Sequence, residues 1–257
     1  MMLALSGQEI LHIWETGQGR HPIDQALIIL ASAFPEMSWD ALARLSIGQR
    51  DSNLLTVRAH TFGSRLVALA TCLQCREQAE CMLDLAAMGL VPGITAKSMA
   101  ADSLFADTAN ELQQMSVDGY ELHFRLPNSQ DLAAIANNQD VGSARNRLVQ
   151  CCIVQACYDG LPVAMEELPD PVIESVTAQM IERDPLAEIQ LALTCPVCGH
   201  HWQSMFDIVT FLWHEISMEA KRLLREVHIL AQAYGWSEGD ILSMSAARRQ
   251  LYIEMVT

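Results

Sequence analysis

The chain has 257 residues, 51% hydrophobic and 18% charged, which describes a globular protein with a substantial core and excludes extended disorder. Its formal net charge of −15, from 16 basic and 31 acidic residues, repels a phosphate backbone and argues against a nucleic-acid partner. The longest apolar run, Ala26 to Phe34, falls well short of the roughly 20 residues that cross a bilayer. The opening MMLALSGQEI has no basic region before Glu9, so neither a membrane partner nor a secretory signal is expected and the chain reads as cytoplasmic.

Elements follow in chain order. Gln8–Glu15 reads as a short helix before the turn Thr16 to Gly19. His21-Pro22 opens a second helix, with proline tolerated in its first turn and Ile23, Ala26, Leu27, Leu30, Ala31 and Phe34 on one face. Ser38 and Ser46 are candidate N-caps for two more, so the first seventy residues are expected to be helical. From Thr71 the texture changes, and Ala79, Cys81 and Leu83 alternate as in a short strand. Tyr120–Leu126 reads as another strand, Pro127-Asn128-Ser129 as a turn and cap, and helices are expected near Gln130–Asn137, Ser143–Tyr158 and Pro171–Arg183. Glu188–Leu193 alternates strictly, with Trp202–Phe206 as its return strand. After Asp207 a long amphipathic helix carries Val209, Leu212, Trp213, Ile216, Leu223, Leu224, Val227 and Leu230 on one stripe. Gly235 is its expected terminator, and Ser237 and Ser245 cap two closing helices. The basic clusters Lys221, Arg222, Arg225 and Arg248, Arg249 read as solvated helix faces.

Eight cysteines in a chain without a secretion signal stay reduced, leaving metal binding, redox chemistry or burial. Cys195-Pro-Val-Cys198-Gly199 has the spacing of a zinc knuckle, in which a tight turn aims two thiolates at one cation while backbone N–H groups bond to the sulfurs. Two thiolates leave a tetrahedron half filled. The other Cys-x-x-Cys, Cys72-Leu-Gln-Cys75, lies 119 residues earlier and lacks both the proline and the glycine. Cys72, Cys75, Cys195 and Cys198 together would make a four-cysteine zinc ribbon around a large insertion, with His200, His201 and Cys81 as substitute ligands. Cys151, Cys152 and Cys157 read as small buried residues of a helix. A thioredoxin-like redox pair would sit at a helix N-terminus after a buried strand, whereas here proline and glycine lead into histidine and a strand.

Catalytic signatures fail. His214-Glu215 starts a metalloprotease-like motif, but Met218 stands where its second histidine belongs. The sequence has no G-x-S-x-G elbow and no phosphate-binding loop, so neither an enzyme nor a small-molecule substrate is expected, and a four-thiolate zinc would be structural. The expected fold class is α+β, mostly helical. Its parts are an N-terminal helical region (1–71), a split zinc ribbon (72–205) with a mixed α/β insertion at about 90–187, and a C-terminal helical region (206–257).

Several segments carry a family likeness: GRHPIDQALIILA (19–31), LSIGQRDSNLL (45–55) with TFG (61–63), FRLPNSQDLAAIA (124–136), EIQLALTCPVCGHHWQSMFDI (188–208) and LLREVHILAQAYGWSEGDILSMSAARRQLYIEMV (223–256). In this order, with a Cys-x-x-Cys between the second and third, the chain resembles the baseplate hub assembly proteins of T-even-type contractile phages, and most of all the versions found near phage-tail-like contractile injection systems. The resemblance implies a non-enzymatic assembly factor or minor baseplate component whose partners are baseplate or hub proteins, acting in the producing cell or in the assembled particle. It places the zinc ligands on Cys72, Cys75, Cys195 and Cys198. Arg76 departs from the pattern, standing where the family's knuckle expects glycine. Two other classes are kept beside this one: a zinc-ribbon nucleic-acid-binding regulator and a thiol redox protein.

Overall fold

A computed structural model describes residues 4–85, 87–88, 112–138 and 140–256. Four helices come first: α1 (Gly7–Gly17), α2 (Pro22–Ala33), α3 (Trp39–Ala43) and α4 (Ile47–Phe62). Each begins where a side chain satisfies amides of the first turn. Ser6 and Ser46 form capping boxes with Glu9 and Gln49, Ser38 accepts from Ala41, and the His21 ring accepts from Ile23 ahead of α2.

Gly63 ends α4 at φ 92°, and the chain enters β1 (Arg65–Thr71), which pairs antiparallel with β2 (Gln78–Asp84). The expectation of helix through residue 70 is therefore corrected at Arg65. In LVALA, Leu66, Ala68 and Ala70 turn inward while Val67 and Leu69 face out, and a period of two in so short a string of helix formers is easily read as helix.

A second sheet has the order β3 (Gln113–Val117), β4 (Tyr120–Phe124), β5 (Ile153–Tyr158), β6 (Leu161–Pro162), all antiparallel. Between β4 and β5 lie α5 (Ser129–Ile135), capped by Asn128, and α6 (Val141–Cys152). The expected helix to Tyr158 stops at Cys152, whose carbonyl accepts from the Arg125 amide, and β-branched Ile153 and Val154 open the strand instead. Then come α7 (Asp170–Arg183), the expected hairpin β7 (Gln190–Thr194) and β8 (His201–Met205), the long α8 (Ile208–Tyr234), α9 (Glu238–Ser243) and α10 (Ala246–Glu254). Of the insertion expected at about 90–187, residues 90–111 and 139 lie outside the described residues.

Buried apolar side chains form two clusters. The larger gathers α1, α2, α4, α8 and the two outer hairpins, β1–β2 and β7–β8, including Ile13, Leu30, Leu54, Leu66, Leu191, Leu212 and Ile216. The smaller packs Leu122, Phe124, Val149, Ile153, Val172 and Val176. Fully burying one such side chain contributes about 1.5–3 kcal/mol. The α8 stripe turns inward as expected, Asp207 caps the helix and Gly235 closes it at φ 70°. α1 lies close against α8 because Gly17 has no side chain: a Cβ there would stand 2.5 Å from the Trp213 ring.

Buried ion pairs fasten these layers. Arg58, 3% exposed, meets Glu215 of α8 through two hydrogen bonds of 3.0 and 2.8 Å. Glu226 of α8 accepts from buried Arg249 of α10 and, along its own helix, from half-exposed Arg222. Arg249 is therefore buried rather than solvated, and it docks α10 onto α8. Among the described residues no helix is long and apolar enough to cross a membrane.

Candidate metal centre

Each outer hairpin ends in a Cys-x-x-Cys turn. In the second, the Cys195 amide donates to the His200 carbonyl, and the Gly199 amide to that of Cys195, both at 2.9 Å. In the first, the Cys72 amide donates to the Glu77 carbonyl at 2.9 Å, and the Arg76 amide to that of Cys72 at 3.0 Å. The two turns are the same structure. Arg76 and Gly199 hold equivalent places with φ 64° and 71°, so arginine adopts the left-handed backbone that glycine takes without steric cost. The irregular first knuckle keeps the geometry and accepts the strain.

Packing in the larger cluster brings the hairpins tip to tip. The sulfurs of Cys72, Cys75, Cys195 and Cys198 all lie within 4.8 Å of one another, with Cys72–Cys198 at 3.7 Å and Cys75–Cys195 at 3.6 Å. These separations are far beyond a disulfide bond of about 2.05 Å, and the cysteines are free. A tetrahedral ion with Zn–S bonds of about 2.3 Å has S···S edges of about 3.8 Å. The cluster therefore fits a four-coordinate, thiolate-bound ion such as zinc.

Electrostatics agree with the geometry. Backbone N–H groups of Cys75 and Gln74, together with neighbouring thiols, bring the Cys72 thiol down to about 7. The Glu77 amide also favours the Cys75 thiolate, but desolvation and the other three thiols outweigh it and push that thiol up to about 12. Cys198 is likewise raised, its bond from the His200 amide outweighed by desolvation and by Cys195 and Cys72. Four thiols this close cannot all ionise without a cation among them, and a divalent ion supplies that charge. Cys72 and Cys195 are buried while Cys75 and Cys198 are exposed.

The two substitute histidines stand apart from this cluster. His201 Nδ1 is 2.8 Å from the Thr194 hydroxyl, and the His200 ring stacks on Trp202. The Cys81 side chain lies outside those described. The remaining cysteines do not behave as one buried helical set: Cys152 is buried, Cys151 is exposed, and Cys157 is half-buried on β5. Burial is the main reason the Cys152 thiol is pushed up to about 12, with Asp131 adding to it. Glu215, first met beside His214 as half of a protease motif, is occupied by Arg58. Sequence reading missed that pair because its members are 157 positions apart.

These features define an α+β protein, mostly helical, whose two ends are joined by a four-cysteine cluster. Residues 23–213, well over half of the chain, match the family described as T4 bacteriophage base plate protein, and the chain belongs to that family. No curated protein matches it, and no solved structure does.

Proposed function

We propose that the chain is a non-enzymatic, zinc-stabilised assembly factor or minor component of the baseplate or hub of a contractile tail or tail-like injection system, acting in the producing cell through contacts with other baseplate proteins. The observation that carries the reading is the convergence of four thiols from hairpins 119 residues apart in a member of a baseplate family. A zinc ion held by Cys72, Cys75, Cys195 and Cys198 has its four positions filled by protein and none open to substrate, the arrangement of structural sites. Cross-linking a loop of about 100 residues is worth about 4–5 kcal/mol in chain entropy, and an ion bound only by the folded form adds its own binding free energy. The zinc would hold the two ends of the chain in register so that the surrounding surface can be presented to partners.

Elemental mass spectrometry of the purified chain and of Cys72→Ser and Cys195→Ser, with thermal unfolding alongside, tests the metal. The expected result is one zinc per wild-type chain, with loss of zinc and of stability in both variants. Zinc retained by Cys72→Ser breaks the pairing of the two knuckles, and a metal-free, fully stable wild type removes the structural role. Co-purification with baseplate or hub proteins in stoichiometric amounts tests the assembly role.

A further inference from the structure

The two outer hairpins share a core and a cysteine cluster, but no backbone ladder joins them. The amides of Cys72 and Leu85 mark the rhythm of the first hairpin, bonding across to Glu77 and Ser64. Even-numbered residues of β1 therefore exchange hydrogen bonds with β2, and odd-numbered ones aim their N–H and C=O groups at the opposite edge. The Arg65 carbonyl is taken by Arg58. Among the described residues, nothing pairs with the main chain of Val67 and Leu69 on that edge.

Beside this edge runs an apolar groove between the hairpins, lined among others by Leu69, Leu83, Leu191, Leu193, Met205 and Phe206. On β1, Leu69 is flanked by the small residues Ala68 and Ala70, which leave side-chain-sized room between the sheets. Leu69 and Met205 are 69% and 60% exposed, a degree of apolar exposure that a free sheet edge normally avoids. One end of the groove carries the exposed carboxylate of Asp207, which also caps α8 through the Thr210 amide and hydroxyl. A second copy of a chain of net charge −15 is a poor occupant for such an end.

We infer that the open edge of β1 receives an extended strand from a baseplate partner, apolar at alternate positions and basic at the end beside Asp207. The strand adds to the β1–β2 hairpin by main-chain hydrogen bonding to Val67 and Leu69, and every second side chain fills the groove over Leu83, Leu191 and Leu193. This is strand addition, in which the backbone supplies affinity and alternate pockets supply selectivity. The inference rests on the assembly reading above and names its contact.

Hydrogen exchange of the zinc-loaded full-length chain, alone and bound to its co-purified baseplate proteins, is the test. The Val67 and Leu69 amides are expected to exchange rapidly in the free chain and at least 100-fold more slowly in the complex, while Leu66 and Ala68 are slow in both. Val67→Pro, which takes away an edge N–H at a residue that does not line the groove, is expected to keep its zinc and to bind at least tenfold more weakly. If baseplate proteins bind but the Val67 and Leu69 amides stay within threefold of the free chain, the strand inference falls and the assembly role stands. Protection at Gln203 and Met205 of β8 instead overturns it as well, as does the same protection arising from self-association. If no baseplate protein binds, both readings fall together.

Discussion

Replacing Arg76 by glycine is expected to stabilise the protein, against the usual direction for glycine substitutions. Arg76 is an exposed residue held at φ 64° in the turn of the first knuckle. A non-glycine residue in that region costs about 1–2 kcal/mol, whereas glycine brings an unfolded-state entropy cost of about 0.5–1 kcal/mol. The difference favours the variant by about 0.5–1 kcal/mol, which for a chain of this length moves Tm up by about 1–4 °C. The equivalent position supplies an internal control. At Gly199, φ 71°, a Cβ would meet nothing within 4 Å, so Gly199→Ala tests the backbone alone and is expected to cost about 1 kcal/mol. Urea unfolding of the zinc-loaded wild type, both single variants and the double variant measures all four terms, and the double variant should fall close to wild type. A destabilised Arg76→Gly beside a neutral Gly199→Ala would refute the claim that the two knuckles share one strained turn.

Gly48→Ala should destabilise by about 2–4 kcal/mol. Its Cβ would collide with the Asp184 carboxylate, which accepts the Gly48 amide at 2.9 Å, and would stand 3.0 Å from the Ala187 nitrogen; calorimetry reads the loss. Glu215→Ala strands the buried Arg58 charge and is expected to cost about 3–5 kcal/mol, with Glu215→Gln intermediate in the same denaturant series. Burial, opposed by Arg50, raises Asp51 to about 6, so the folded form holds this proton more tightly than the unfolded form does. Its contribution is full below about pH 4 and is lost as pH rises through about 6, a change of about 3 kcal/mol. Asp51→Asn should therefore gain on wild type steadily from pH 4 to pH 7 in urea midpoints, and a constant difference across that range would dismiss the burial argument.

Much of the architecture could be read from local signals. Serine caps, the Cys-Pro-x-Cys-Gly turn, the alternation of Glu188–Leu193 and the stripe of α8 each declare themselves within a few residues. The same local logic failed where two periods coexist in one short string, at Leu66–Ala70 and at Ile153–Tyr158, because pairing with a distant strand settled the outcome. The four thiols were legible as two spaced pairs, but the equivalence of Arg76 to Gly199 was not, since a residue's φ is not written in its side chain. Long-range partners such as Arg58 with Glu215, Gly48 with Asp184 and Arg249 with Glu226 left no trace beyond being charged or small.

Chain order gives the cysteine cluster a temporal side. At about 5–20 residues per second, roughly 6–24 s pass on the ribosome between the two knuckles. During that wait α1, α2 and α4 also lack the face of α8 against which they are buried. The N-terminal half is thus made first and finished last, and its completion waits on the arrival of a helix from the far end of the chain.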